Sequence, residues 1–194
     1  MHELALPMTG GEGGRAEDRE LAVLVRRAKA GDTAAFEEIL LRHERRILLT
    51  ALRLLGSMED AKDAAQEVFL RLHKHLRRFD DTRALAPWLY RVTVNVCRDI
   101  GRKRGREQEM PIEAAERAAA PAGRDWREER RIVALALRRL PEKERAALVL
   151  RDIEGLSTAE VARILGSSAA TVRSETSSAR LKIKRFADRM LGRV

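Results

Sequence analysis

From Ser157 to Lys184 the residue spacing fits one local structure, two helices crossing at a tight turn. Ser157 and Glu160 stand at capping-box spacing, in which the Ser hydroxyl and the Glu carboxylate each satisfy an orphan amide at a helix start. A helix therefore opens near Thr158. Val161, Ile164 and Leu165 form its apolar stripe, Ala162 admits close crossing by a second helix, and Gly166 can take the left-handed conformation that stops the first. Ser168 can cap the second helix, and Val172 points back into the shared pocket. Thr171, Arg173 and Ser174 are left facing outward, where the second helix of a helix-turn-helix reads the major groove of DNA. An ordinary helical hairpin would explain the glycine; the coincidence of cap, small residue, glycine and apolar anchor favours the helix-turn-helix.

The totals agree with a helical chain that meets nucleic acid. Its 194 residues suffice for one or two domains, and 44% hydrophobic residues can fill a core in each. Aromatics make up only 4% while 36% of residues are charged, and this mix favours helix over sheet, so the predicted fold class is all-α. The net charge of +9 implies an anionic partner, and nucleic acid fits better than a membrane surface because no basic helix carries a broad aromatic face. No apolar run approaches the roughly 20 residues that span a bilayer, and the N-terminal stretch has neither a basic n-region nor a long apolar core. A cytoplasmic chain without membrane insertion is expected. The single cysteine, Cys97, excludes an internal disulfide and suits a reducing compartment, with helix packing its expected role. His73 and His75 stand two apart and diverge on a helix, so no metal site is expected. Without a phosphate loop, nucleophile constellation or cofactor motif, neither catalytic residues nor enzymatic activity is expected.

Residues 1–18, glycine-rich from Gly10 to Gly14, read as a flexible leader. Structure is predicted to begin near Glu20, with Leu21, Leu24, Val25 and Ala28 at helical spacing up to Gly31. Asp32 can cap a second helix carrying Phe36, Ile39, Leu40, Ile47, Ala51, Leu54 and Leu55, which Gly56 ends. Ser57 opens a third, with Ala61, Ala64, Ala65, Val68, Phe69, Leu72 and Leu76 on its apolar face, broken at Phe79-Asp80-Asp81. After a loop, Pro87 suits the first turn of a fourth helix that bears Trp88, Leu89, Val92, Val96 and Ile100 and ends near Gly101. These helices make a bundle, a first domain over residues 19–104. Residues 105–127 read as a linker, since seven acids outweigh three arginines between Glu107 and Glu129 and the apolar periodicity is lost. A second helical domain follows over 128–194, with Ile132, Leu135 and Leu140, a fresh helix start at Pro141, then Leu148, Leu150 and Ile153 before the helix-turn-helix.

The positive charge is concentrated. Arg71 to Arg106 holds eleven Lys and Arg against three acids, nearly the whole excess, and the same segment carries Phe79, Trp88 and Tyr90. Basic residues interleaved with aromatics suit a surface that follows phosphates and stacks on exposed bases. Trp88, on an apolar helix face, fits the core equally well.

Two separated sets of motifs carry a resemblance. The first is Asp60-Ala61-Lys62-Asp63-Ala64-Ala65-Gln66-Glu67-Val68-Phe69, followed by Trp88-Leu89-Tyr90-Arg91 with Asn95 and Asp99. The second is Leu140-Pro141 with Arg145, Gly155-Leu156-Ser157, Glu160-Val161-Ala162, Leu165-Gly166, Thr171-Val172-Arg173-Ser174 and Ala179-Arg180. In their order and spacing the chain resembles the extracytoplasmic-function (ECF) sigma factors, the small two-domain promoter-recognition subunits of bacterial RNA polymerase.

The resemblance implies core RNA polymerase, promoter DNA and a dedicated anti-sigma factor as partners, and no cofactor. It sets Asp60, Asp63, Gln66, Glu67 and Phe69 on the clamp coiled coil of the polymerase's largest subunit. It sets the loop from Phe79 to Ala86 and the helix from Trp88 to Arg104 on the minus-ten element, where melting is coupled to capture of a flipped base. Unstacking a base costs on the order of a few kcal/mol, which stacking and hydrogen bonding in a pocket can offset. The contacts implied there are Arg77, Arg78, Phe79, Arg83, Trp88, Tyr90, Arg91, Asn95, Arg98, Arg102 and Lys103; Asn95 also fits a helix-packing amide. On the minus-thirty-five element, Thr171, Arg173, Ser174 and Ser177 would lie near bases, Arg180 and Lys182 near the backbone, with Ser168 at the helix start. The chain departs from the family pattern at Glu175 and Thr176, where a basic and an apolar residue are usual. An acid there repels phosphate or accepts from a cytosine amine, and Thr176 removes a core contact. The competing expectation is a free-standing helix-turn-helix regulator that binds duplex DNA unaided.

Overall fold

The computed structural model describes residues 12–107 and 124–192. The helices among them are α1 (Glu12–Lys29), α2 (Thr33–Leu55), α3 (Met58–His75), α4 (Leu85–Glu107), α5 (Arg124–Arg138), α6 (Glu142–Leu148), α7 (Thr158–Leu165) and α8 (Ala169–Met190), with no strand among the described residues. A 3-10 turn, Leu76–Arg78, extends α3, and a π turn, Val149–Ile153, extends α6.

Local chemistry sets these boundaries. The Asp32 carboxylate accepts from Ala35 N (3.0 Å) and the Ser57 hydroxyl from Asp60 N (3.3 Å), each satisfying an amide that a helix start leaves open. Gly56 closes α2 in the left-handed conformation (φ 74°), which side chains other than glycine adopt at a cost. Ser157 and Glu160 form the reciprocal capping box, Gly166 (φ 64°) stops α7, and Ser168 caps α8 by accepting from Thr171 N (3.0 Å). Val172 is buried beneath that turn.

Three boundaries differ from the sequence reading. Helix α1 starts at Glu12 rather than near Glu20, because Arg15, Ala16, Glu17 and Arg19 favour helix strongly enough to continue it through the predicted leader. Residues 1–11 of that leader lie outside the described residues. Helix α4 passes Gly101 to reach Glu107; a mid-helix glycine costs about 1 kcal/mol, and the cations that follow suit the negative end of the helix dipole. The ends of the predicted linker are thus helical, in α4 and α5, and its residues 108–123 lie outside the described residues.

Helices α1–α4 form the first bundle and α5–α8 the second. Ile39, Ile47, Val68, Leu72, Leu89 and Val96 are fully buried in the first, Leu150, Val161 and Val172 in the second. Burying each such side chain contributes about 1.5–3 kcal/mol. The bundles are not separate bodies: α4 packs on α7 and α2 on α5, so one apolar core runs through both, while Ile132, Ala136 and Phe186 form a smaller cluster between α5 and α8. The approach is close at Gly56, where a Cβ would come 2.9 Å from Arg138 Cγ of the second bundle.

Candidate polymerase and nucleic-acid interfaces

Helix α3 is two-faced. Ala61, Ala64, Ala65, Val68 and Leu72 are buried, while Asp63 and Gln66 on the opposite side are exposed and Glu67 is half-buried. Glu67 is steadied by Arg71 one turn on (2.7 Å). Asp60, at the first turn, is ion-paired to Arg104 of α4. Phe69 packs partly against the core. Of the five residues expected on polymerase, Asp63, Gln66 and Glu67 therefore share one accessible face, while Asp60 and Phe69 also brace α3 against its neighbours.

The basic segment divides by exposure. Arg77 and Arg78 project from the 3-10 turn, and the next residues form a shaped loop. Asp80 accepts from the Thr82 amide (3.1 Å) and hydroxyl (2.6 Å) and pairs with Arg83 (3.0 Å). These groups hold the Asp80 carboxyl below its ordinary range, the Thr82 hydrogen bonds contributing most. Lys29 of α1 crosses to the same loop, donating to the Phe79 carbonyl (2.7 Å) and to Asp81 (3.2 Å). Trp88 stacks edge-on against Phe79 (5.9 Å) and His75 (6.5 Å) and is half-buried. On α4, Arg91, Asn95 and Arg102 form an exposed stripe, with Lys103 beside them, whereas Leu89, Thr93 and Val96 are buried. Asn95 is thus a surface amide.

Two aromatic residues expected to stack on bases are inside. Phe79 is 9% exposed and Tyr90 2%, so neither offers a ring face in this arrangement. Tyr90 lies on the buried face of α4 with Val94 and Cys97, and its hydroxyl donates to Glu154 of the second bundle (2.8 Å). Burial, reinforced by that carboxylate, raises the phenol well above its ordinary range, so it acts as a donor.

In the helix-turn-helix, Thr171, Arg173, Ser174 and Ser177 are exposed along α8, as the spacing predicts. Ser168 and Thr171 join their hydroxyls across the cap (2.8 Å). Arg180 and Lys182, expected on phosphates, are held by acids of their own bundle. Arg180 grips Asp152 through two bonds (2.7 and 2.6 Å), and Lys182 reaches both Glu144 oxygens (2.6 and 2.8 Å). Both pairs tie α8 to the α6 segment and fix its attitude. Glu175 is half-buried and lines a cleft with Arg98 and Lys143, and Thr176 is buried with an unpartnered hydroxyl.

Sequence reasoning missed the Glu154 contacts, whose partners lie 64 to 108 residues earlier, and Lys29, fifty residues before its loop. An acid directly before a turn glycine was the one available signal for Glu154. Among the described residues no group of His, Cys, Asp and Glu is placed to hold a metal ion, and no helix is long and apolar enough to cross a membrane.

The sigma-70 region 2 family matches residues 39–107, which span most of α2 through α4, and the sigma-70 region 4 family matches residues 130–183, from α5 into α8. These two regions on an all-helical, two-domain frame define a class, the sigma-70-type transcription initiation factors. The chain is 36% identical over 180 residues to the ECF RNA polymerase sigma factor SigM of Mycobacterium tuberculosis, covering 91% of this chain and 88% of that protein. It is 31% identical to the ECF RNA polymerase sigma-E factor of Escherichia coli, covering 81% and 89%. Its structure is similar to that of the sigma factor RpoE from Bartonella quintana, solved in complex with the anti-sigma factor NepR, with TM-score 0.69 and 25% identity over 79% of this chain and 96% of that one. The chain belongs to the ECF sigma factors, the bacterial RNA polymerase subunits that bind the core enzyme and direct promoter recognition and DNA melting at initiation.

Proposed function

We propose that each surface serves one step of initiation. The exposed face of α3, with Asp63, Gln66 and Glu67 and braced by Asp60 and Phe69, docks on a basic surface of core polymerase. The Phe79–Ala86 loop and the exposed stripe of α4 engage the minus-ten element, with Asn95 as the polar contact to a flipped base and Arg77, Arg78, Arg91 and Lys103 on phosphates. Helix α8 lies in the major groove of the minus-thirty-five element, with Thr171, Arg173, Ser174 and Ser177 toward the bases. The observation that carries this reading is the separation of an acidic face on α3 from a basic, amide-bearing stripe on α4. Residues 19–104 and 128–194 act as the two recognition domains and 105–127 as their connection. The chain performs no catalysis of its own and works in the cytoplasm, where the polymerase is. An anti-sigma partner is supported by the similarity to RpoE, which was solved with one.

The test is charge reversal at the docking face. Asp63→Arg combined with Glu67→Arg is expected to abolish core binding and run-off transcription while leaving the chain folded, with a fall of a few degrees at most in unfolding temperature from the lost Glu67–Arg71 pair. Normal core binding and transcription by this variant would refute the docking assignment.

A further inference from the structure

Glu154 is the one buried carboxylate among the described residues, its side chain 4% exposed, and the side chains that bind it all belong to the first domain. Its Oε2 accepts from Arg46 Nε (3.0 Å) and the Tyr90 hydroxyl (2.8 Å). Its Oε1 accepts from Arg53 Nη1 (3.0 Å) and lies 2.8 Å from Thr50 Oγ1. The Thr50 hydroxyl is equally close to the Arg46 carbonyl, and its single proton serves one acceptor at a time. Arg46 Nη2 also donates to the Glu154 carbonyl (2.9 Å). The backbone is fixed as well, since Glu154 N–H closes the π turn on the Val149 carbonyl (2.9 Å).

This is a socket for an anion, built from α2 and α4 and filled by the other domain. Two guanidinium groups and a phenol meet a carboxylate that would be strongly disfavoured if buried alone. The partners remain near water: Arg46 is 51% exposed and Arg53 31%, so they rehydrate as soon as the domains part. Such a contact is specific yet separable. A second ion pair, Arg98 of α4 with Glu142 at the start of α6 (2.8 Å), crosses the same boundary.

Closure conflicts with reading two promoter elements at once. Positions ten and thirty-five lie about 25 base pairs apart, about 85 Å at 3.4 Å per step. Helix α4 packs on α7 and α7 on α8, and Arg98 of α4 and Glu175 of α8 line one cleft, so the two reading helices lie side by side, far short of that span. We propose that Arg46, Thr50, Arg53 and Tyr90 form a carboxylate socket that holds the free chain closed through Glu154, and that core polymerase must empty it before α4 and α8 can separate. The proposal takes the two-element reading above as its premise.

The test uses the full-length chain carrying Glu154→Gln or, separately, Arg53→Met, which removes a donor from a partly exposed position. Both variants are expected to give a larger radius of gyration by small-angle X-ray scattering. Both are expected to bind core polymerase about ten- to a hundredfold more tightly, since hydrogen bonds to charged groups contribute about 1.5–3 kcal/mol that opening no longer has to overcome. Promoter-directed transcription is retained. Where Glu154→Gln lowers the folded population, Arg53→Met carries the comparison. Folded variants with the dimensions and core affinity of the unaltered chain would overturn the proposal. Failure of the premise would look different: the unaltered chain itself would give no promoter-directed transcripts.

Discussion

Thr176→Val should stabilise the chain, although it touches the recognition helix. Thr176 sits in the second turn of α8, 5% exposed, and its hydroxyl oxygen is fully buried without a hydrogen-bond partner. A threonine inside a helix often turns its hydroxyl back on a carbonyl one turn earlier; here it does not, so the desolvation of the hydroxyl is uncompensated. A buried unsatisfied group of this kind costs about 1–3 kcal/mol. Valine replaces the hydroxyl with a methyl of similar size, keeps the β-branch, and leaves helix propensity almost unchanged. The expected gain is therefore about 1–2 kcal/mol, which for a chain of this length raises Tm by about 3–6 °C. Thermal and urea unfolding measure it, and an unchanged urea m-value would place the gain in the folded state. A Tm that stays put or falls would refute the reasoning, because the hydroxyl would then have a partner or the pocket would not take a methyl. Affinity for minus-thirty-five duplex should not change, since Thr176 faces the core and the readers on α8 face away.

His43 should make stability depend on pH. Its Nε2 is buried without a partner, and burial, with Arg46 and Arg42 adding repulsion, lowers its pKa from 6.5 to about 4. Between those values the unfolded chain binds a proton that the folded chain refuses, so stability is full above about pH 6.5 and declines by up to about 3 kcal/mol as pH falls toward 4. His43→Leu should flatten that slope in urea titrations at pH 7 and 4.5; an equal slope in the variant would clear His43 of the effect. Cys97 is buried on α4 and burial pushes its thiol up to about 12, so a disulfide reagent such as DTNB should label it only on unfolding. Rapid labelling of the folded chain would show that α4 opens locally.

Most of the fold was legible because it rests on local rules. Asp32, Ser57, Ser157 and Ser168 cap the helices they were expected to cap, and Gly56 and Gly166 stop theirs, because a cap needs only its own few neighbours. The exposed face of α8 was legible for the same reason: spacing alone decides that Val172 points inward and Arg173 outward. Tyr90 failed that logic. Its place beside basic residues suggested the surface, but its ring lies in the core and its hydroxyl finds its acceptor in Glu154, sixty-four residues later and in another domain. Phe79 and Lys29 belong to the same class, with a loop shape fixed by a lysine from a distant helix. Periodicity could place α1 and α4 but not end them, since the Arg, Lys, Ala and Glu residues beyond the expected limits favour helix enough to outweigh the glycines among them.

The basic residues expected on DNA fall into two groups that composition does not distinguish. Arg83, Arg98, Arg102, Arg180 and Lys182 are already paired with Asp80, Glu142, Asp99, Asp152 and Glu144. Arg77, Arg78, Arg91, Lys103 and Arg173 make no ion pair among the described residues. A cation that leaves a carboxylate for a phosphate releases a counterion from DNA but leaves an acid that recruits a cation from solution, so the two effects largely cancel. An unpaired cation keeps the full release, a slope of about 0.9 in log K against log salt for each phosphate neutralised. Arg91→Ala, which removes one of the cations proposed for phosphate, should therefore lower the salt slope of promoter binding by about 1, whereas Arg180→Ala should lower affinity mainly by loosening α8, with little change of slope. Equal slope changes for the two variants would show that Asp152 gives up Arg180 without cost. Arg98 would change group on the opening proposed above, because its acid, Glu142, lies in the second domain and parting the domains would break that pair.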